Sequence, residues 1–445
     1  MDCKNVNRQL FDFIAHCPTA YQTTAHAAEM LRAEGYTELC ESGEWKLDCG
    51  RGYFVTRNGS SLIAFRLPEG ECDGFMITAA HGDSPAFKIK ENATLEGGEY
   101  ARLSTEKYGG MLCSSWMDRP LSIAGRVTLR TEDGIEVKNV DLGEVTAIIP
   151  NVAIHMNRNA NDSASFNAAR DMLPLYAVGG KKTDADDDGT TPLRRRVAVA
   201  LGVAPEDILT TDLSLYDPAA GVEWNGLISA PRLDDLQCAF ASLAAFIESG
   251  KSDASPASIP VCCIFDNEEV GSQTKQGAAS TFLPDVLERI SAAGGLNPTE
   301  HRRRVASSFL VSCDNAHAVH PNHPEYADPN HSVYMNRGIV IKYNASQRYT
   351  SDAVSAAIFK LVCESCGVPT QYYANRADMP GGSTLGNIAN TQVSLNTVDI
   401  GLAQLAMHSA YETAGARDTE YMLCALRRFF ELSLYCENDG KYRLR

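Results

Sequence analysis

No stretch of eighteen consecutive apolar residues occurs in this 445-residue chain, so no segment reads as a membrane-spanning helix. The opening run, MDCKNVNRQLFDFIAHCPTAY, lacks a basic stretch leading into a long apolar core, and the expected location is therefore the cytoplasm. Positive charge is in short supply: 40 Lys and Arg face 56 Asp and Glu, a net charge of −16. Nucleic acid and anionic membrane surfaces require basic patches, so neither is an expected partner. The glycine-rich run 378–386, DMPGGSTLG, has no phosphate-loop lysine and does not read as a nucleotide site. Cysteine is plentiful, at 14 residues, but without a framework. Cys363 and Cys366 form one C-x-x-C pair on what reads as an amphipathic helix, with no second pair at zinc-finger spacing. Free and largely buried thiols are expected.

What the chain does contain is apolar material, 44% of its residues, enough for a large core. Its length fits one large domain with an insertion, or two domains. The stretch that organises it is 261–280, VCCIFDNEEVGSQTKQGAAS. The continuous apolar run VCCIF fits a strand covered on both faces of an α/β sheet, and such sheets present ligands beyond the carboxyl ends of their strands. Glu268 and Glu269 stand there. Adjacent glutamates can divide their work between holding a metal and moving a proton; a solvated turn or the acidic first turn of a helix is the plainer alternative.

Apolar positions at helical spacing, broken by Cys17-Pro18-Thr19, predict two helices within 5–34. Residues 52–67 predict a hairpin about Asn58-Gly59, and 74–80 a strand ending at His81. His81 and Asp83 then lie on one side of an extended segment. A neutral imidazole binds zinc and a nearby carboxylate often orients it, although a polar turn would look the same. Short strands and turn signals from about 95 to 228 predict an inserted β-rich domain. Within it, 157–215 reads as polar loop, above all 181–196. Asp184, Asp186, Asp188 and Gly189 imitate the start of a calcium loop, but Arg195 occupies the place of its bidentate Glu, so a solvated loop is expected. Asp234 and Asp235 sit at the start of a predicted helix, where capping is the ordinary role and bridging two cations the alternative. A strand over 305–312 leads to Asp314. Further on, 338–343 predicts a strand, 352–363 a helix, 369–373 an extended segment, and the run after Asp399-Ile400-Gly401 a helix start carrying His408.

His81, Asp234, Glu269, Asp314 and His408 thus each fall at the end of an apolar strand or near a helix start, where ligands converge. Two histidines and three carboxylates suit zinc, with cobalt or manganese also compatible, and with one carboxylate shared they suffice for two divalent ions.

Nearly the full chain resembles the aspartyl aminopeptidase family of zinc metallopeptidases. The blocks that carry the resemblance are, in order, CPTAYQTTAHAAEML, HGDSPAFKIK, YGGMLCSSWMDRPLSIAGRV, VAIHMNR, SAPRLDDL, DNEEVGSQTKQGAAS, SCDNAHAVHP, IVIKYNASQRYTSD, DMPGGSTLG and VDIGLAQLAMHSAYE. The resemblance implies an α/β fold: a mixed-sheet dizinc exopeptidase core flanked by helices, made of 1–92 and 229–445, with a β-rich dimerisation or lid domain inserted at 93–228. It implies one zinc on His81, Asp234 and Asp314 and a second on Asp234, Glu269 and His408. Glu268 is then the general base, also touching substrate, and Asp83 the partner of His81. His155, His317, Lys342 and Tyr349 match substrate-contacting positions. Peptide substrates, release of the amino-terminal residue with a preference for Asp or Glu, and a homododecamer built from dimers follow from the same resemblance. Gly82 stands where threonine is common and Asp235 where asparagine is frequent, and Cys17 and Ala20 also differ; none of these removes a ligand. Competing readings are a related dizinc hydrolase, such as a leucyl or glutamyl aminopeptidase or a deacylase, and a catalytically silent assembly protein, which would have no use for Glu268 beside a full ligand set.

Overall fold

The computed structural model describes residues 3–70, 72–95, 99–178 and 191–445. The chain divides into two compact units: one holds the described residues up to Asp83 together with Gly221–Met407 and Glu412–Arg445, and the other holds Ser84–Ala220 and His408–Tyr411. The divisions fall at Asp83 and Ala220, where 92 and 228 were expected. The reason is strand pairing. Ala86–Leu95 already pairs with Tyr100–Tyr108, whereas Leu227–Ala230 pairs with Glu412–Gly415 of the first unit.

The first unit is built on a nine-stranded sheet in the order Thr37–Leu39, Gly52–Arg57, Ser61–Arg66, Ile259–Phe265, Phe75–His81, Phe309–Cys313, Asn396–Gly401, Ile339–Tyr343, Thr370–Ala374. It is mixed: Phe75–His81 runs parallel to both its neighbours, while Ser61–Arg66 and Ile339–Tyr343 enter antiparallel. Every residue of Phe75–His81 and Ile259–Phe265 is buried, and both are accordingly apolar along most of their length. Successive side chains point to opposite faces. Met76, Ala80, Cys262 and Ile264 pack with Phe13, Phe240, Phe246 and Phe429 from helices on one side. Phe75, Ile77, Cys263 and Phe265 pack with Phe282, Leu287 and Leu385 on the other.

The predicted helix pair is present as Cys3–His16 and Ala20–Ala33, and the hairpin turns at Asn58 and Gly59, both at positive φ as a tight two-strand turn needs. All described cysteines are free. Three expectations are corrected. The strand expected over 305–312 begins only at Phe309, because Asn297, Pro298 and Glu300 make a capping box that carries the helix Pro298–Ala306. The loop expected over 157–215 contains the helix Pro192–Leu201, capped by the Thr191 hydroxyl and burying Leu193 and Val197, and the strand Ile208–Tyr216. His408 does not open a helix. It sits at φ 67 in a turn between Ala403–Leu405 and Glu412–Gly415, which pair with each other, so the apolar spacing there reflects a hairpin. The calcium-like run Asp184, Asp186, Asp188 and Gly189 lies outside the described residues.

The second unit is a six-stranded antiparallel sheet in the order Gly134–Asp141, Ser122–Thr131, Ile208–Tyr216, Ala86–Leu95, Tyr100–Tyr108, Leu175–Val178. Its core gathers Phe87, Trp116, Ile123, Val127, Leu213 and Leu215.

Gly338, at φ +90, leads into Ile339–Tyr343, and a Cβ there would lie 2.0 Å from the Pro369 carbonyl oxygen; at Gly367, φ +70, a Cβ meets nothing within 4 Å. Gly338→Ala is therefore expected to cost about 3 kcal/mol or more and Gly367→Ala about 1 kcal/mol, read from urea midpoints. Equal losses would mean that backbone strain alone, and not close strand packing, demands glycine at 338.

Candidate metal centre

His81 ends its strand opposite Phe265, so the turn carrying Glu268 and Glu269 starts level with it. Phe309–Cys313 runs parallel on the other side, with Ser312 opposite Ala79, which brings Asp314 to the same end of the sheet. The imidazole of His81 is buried, and its Nδ1 lies 3.0 Å from the Asp83 carbonyl oxygen. A proton on Nδ1 directed at that carbonyl leaves Nε2 as the ligand atom. Nε2 faces Asp234 Oδ1 at 3.6 Å, and the His81 backbone N–H donates to Asp235 Oδ2 at 3.2 Å.

Asp234 and Asp235 stand at the start of the helix Leu233–Ser249 but are not themselves helical, and the peptide between them is cis. The Asp234 N–H donates to Glu412 Oε2 at 2.9 Å. On the neighbouring segment Asn315 Nδ2 donates to the Leu233 carbonyl and to Gln404 Oε1, both at 2.9 Å, which ties the Asp314 strand end to this helix start. Asp83 completes the arrangement: its Oδ1 and Oδ2 accept the N–H groups of Glu268 and Glu269 at 3.2 and 3.1 Å. A turn whose backbone donors are pinned in this way aims both glutamates from a fixed base.

Ligand atoms of His81, Asp234, Asp235 and Asp314 all lie within 4.8 Å of one another. Burial and mutual repulsion show in their acidities. Burial, with Asp314 and Asp234 close by, pushes the Asp235 carboxyl well up, although His81 opposes it. Burial and Asp234 raise Asp314 against the pull of Lys342. Glu268 is pushed up to about 8, first by burial and then by Asp314, Asp83 and Asp234. Burial opposes charge on His81, yet the surrounding carboxylates hold it well above its ordinary value. Buried carboxylates crowded so closely call for a compensating cation, and imidazole nitrogen with carboxylate oxygen suits zinc. On this donor set the residues fit the metal.

Beyond Asp314 the site has a polar and aromatic wall. Lys342 is buried; its Nζ donates to the Asn315 carbonyl at 2.7 Å and lies 3.6 Å from Asp314 Oδ2. It also sits 5.4 Å from the Tyr349 ring centroid, and Tyr373 lies between the rings of Tyr349 and His317, with centroids 6.3 and 6.4 Å away. The sheet thus brings together His81, Asp83, Asp234, Glu268, Glu269, Asp314, Lys342, Tyr349 and His317. His155 and His408 belong to the second unit, where His155 is exposed and His408 Nδ1 lies 2.6 Å from the Gly110 carbonyl oxygen.

Sequence reasoning missed three supporting groups. Asp235, expected with Asp234 at a helix start, is absent from the predicted ligand set although it accepts the His81 backbone N–H, and Glu412 is absent from it altogether. Asp399, taken as the opening of a helix, is buried in Asn396–Gly401 and accepts the hydroxyls of Thr350 and Thr384, each at 2.7 Å, anchoring the segment after Tyr349 and the end of the glycine-rich loop. The available signal was a carboxylate between Val398 and Ile400, two residues of β-strand type.

A family model described as aminopeptidase I zinc metalloprotease (M18) matches residues 13–430. The chain is 41% identical over 433 residues to a probable M18 family aminopeptidase 2 of Clostridium novyi (strain NT), covering 95% of this chain and 98% of the relative. Among solved structures, that of a complex of Ape4 and Nbr1 is similar with a TM-score of 0.93 at 34% identity, covering 96% of this chain and 86% of that one. The mApe1 dodecamer of S. cerevisiae is similar with a TM-score of 0.84 at 28% identity, covering 96% and 97%.

Because the Asp83 carboxylate holds both glutamate N–H groups and its Oδ1 lies 3.4 Å from His81 Nδ1, Asp83→Ala is expected to weaken zinc affinity and lower turnover by about 10- to 100-fold each with the fold intact. Chelator competition, elemental analysis and circular dichroism check this. Undiminished affinity and turnover would remove Asp83 from the positioning role.

Proposed function

The chain belongs to the aminopeptidase I zinc metalloprotease (M18) family and is a zinc-dependent aminopeptidase that hydrolyses peptides at the amino terminus; from that premise we propose that it works with two metal ions and prefers acidic amino-terminal residues. The observation that carries the reading is the buried cluster of His81, Asp234, Asp235 and Asp314 with Glu268 at its margin. In this reading His81, Asp234 and Asp314 hold one ion, and Asp234, Glu269 and His408 the other.

Zinc held by these residues supplies Lewis-acid polarisation of the scissile carbonyl and lowers the pKa of water. Glu268, whose backbone N–H is held by Asp83 at the margin of the cluster, is assigned to accept the proton of the attacking water and return it to the leaving amine. Lys342 is assigned to the substrate side chain. Its ammonium donates to the Asn315 carbonyl, with Asp314 near it at 3.6 Å only as an ion pair; a further donor is assigned to a substrate carboxylate, with Tyr349 and His317 lining the approach.

Assembly into a homododecamer from dimers is part of the same reading, supported by the dodecameric relative and by Val152, Ile154 and Met156, which lie exposed around His155. His155 is the residue assigned to substrate contact from the second unit. No helix among the described residues is long and apolar enough to cross a membrane, and the cytoplasm is the proposed location.

Glu268→Gln keeps the side chain's size and removes its proton acceptor, so turnover should fall by about 10²- to 10⁴-fold with metal content unchanged. Glu269→Gln replaces an anionic ligand by a weaker neutral one, so one ion should be lost and excess metal should restore part of the activity. Kinetics alongside elemental analysis separates the two, and a Glu268→Gln protein that loses an ion exchanges the roles.

For specificity, a panel of aminoacyl and N-acyl substrates should show Asp and Glu favoured. Lys342→Met should cut the acidic-over-neutral ratio by an amount corresponding to about 2 kcal/mol or more. A ratio that stays the same rules out Lys342 as the selector.

A further inference from the structure

His155 is carried on a segment that the rest of the second unit holds at few points. The chain departs from the body of the unit at Ile148, which exchanges both backbone hydrogen bonds with Leu175, at 3.1 and 2.7 Å, so that 149–174 is an excursion closed at its root. Ile149 and Met172 are buried in the core there. From 151 to 165 every residue except Ala160 is exposed, and the backbone bonds of Met156, Asn157, Ala160, Asp162 and Ser163 all go to residues of the same stretch. Among the described residues, the hydrogen bonds that join 151–165 to the rest of the chain both end on Asp118. The Asn151 backbone N–H donates to Oδ1 and Asn151 Nδ2 donates to Oδ2, each at 2.9 Å.

Asp118 is itself held from both sides. Its backbone N–H donates to the Ile149 carbonyl at 2.8 Å. Trp116 is buried against Phe87 with ring centroids 5.4 Å apart, and Arg119 pairs with the buried Asp217. Between these anchors Asp118 takes φ 58, in the left-handed region that Asp and Asn enter most readily after glycine. Residues kept in such a conformation cluster at functional places. Two bonds between the same pair of residues fix direction as well as distance, so the clamp sets the course on which the chain leaves Asn151. His155 follows four residues later, and the intervening turn is closed by its own bonds, from the N–H groups of Met156 and Asn157 to the Ala153 carbonyl at 2.8 and 3.1 Å. A shift at Asn151 is thereby carried to the imidazole.

We propose that Asp118 is the positioning residue of His155: its carboxylate clamps Asn151 and so aims the exposed segment that delivers the imidazole to substrate. The inference rests on the assignment of His155 to substrate contact. Asp118 acts through His155 alone, so removing it costs what misplacing His155 costs and adds nothing once His155 is gone. A displacement of about 1 Å in a group that contacts substrate can lower turnover by up to about 100-fold, so a clamp at the root of an otherwise unattached segment has a large effect to exert.

The test uses the zinc-loaded full-length protein and a peptide with an amino-terminal Asp, with zinc content from elemental analysis and molar mass from light scattering. Asp118→Gly removes the carboxylate without placing a Cβ at positive φ, whereas Asp118→Asn keeps the conformation and groups able to bond both the N–H and the side chain of Asn151. His155→Ala and Asp118→Gly should each lower kcat/KM by about 10-fold or more with zinc and molar mass unchanged, and Asp118→Asn should recover most of the loss. The double variant Asp118→Gly/His155→Ala should fall no more than about 2-fold below His155→Ala, because residues that act through one contact do not add. An unimpaired Asp118→Gly beside an impaired His155→Ala, losses that multiply in the double variant, an Asp118→Asn no better than Asp118→Gly, or zinc or molar mass lost in Asp118→Gly alone would each overturn the proposal and leave His155 in its role. A His155→Ala protein as active as the wild type removes His155 from substrate contact, and the proposal falls with it.

Discussion

Repulsion among buried carboxylates at one end of the large sheet is the constraint that the rest of the first unit serves. Asp234, Asp235 and Asp314 crowd around His81 with ligand atoms within 4.8 Å, and Glu268 adds a further acid at the margin. Removing such charges from water costs several kcal/mol per ion unless a counter-charge is present. Lys342 offsets one side of the cluster through Asp314. A divalent cation is the natural offset for the remainder, which is the physical content of membership in a zinc peptidase family.

Charges held this close cannot be left to flexible loops, and the backbone supplies the restraints. Asp83 accepts the N–H groups of Glu268 and Glu269, Glu412 accepts that of Asp234, and Asn315 bridges the Leu233 carbonyl to Gln404. Behind them, parallel strands in register set His81, the start of the glutamate turn and Asp314 at one level, with helices packed on both faces of the sheet to keep the register rigid. Asp399 extends the same principle to the wall, tying down the segments next to Tyr349 and the glycine-rich loop.

Burial also sorts the thiols. Those inside the core are pushed up by removal from water, Cys262 to about 12.

Much of this was legible in the chain itself. Apolar runs of period one, two or 3.6 identified the buried strands, the hairpin at Asn58-Gly59 and the paired amino-terminal helices, because local burial and turn chemistry act over a few residues. The residue types of the ligands were legible for the same reason: His81, Glu269 and Asp314 each follow an apolar strand. Misreadings arose where long-range pairing outweighed local pattern. The segment of His408 has helical spacing but is claimed by strand partners, and residues 192–201 form a helix only because Leu193 and Val197 find a core. Which carboxylates meet, and that Asp235, Glu412 and Asp399 support them, were decided by tertiary structure alone. These are contacts between residues tens to hundreds of positions apart, and no local periodicity encodes the level at which two strands end or the face on which two helices meet.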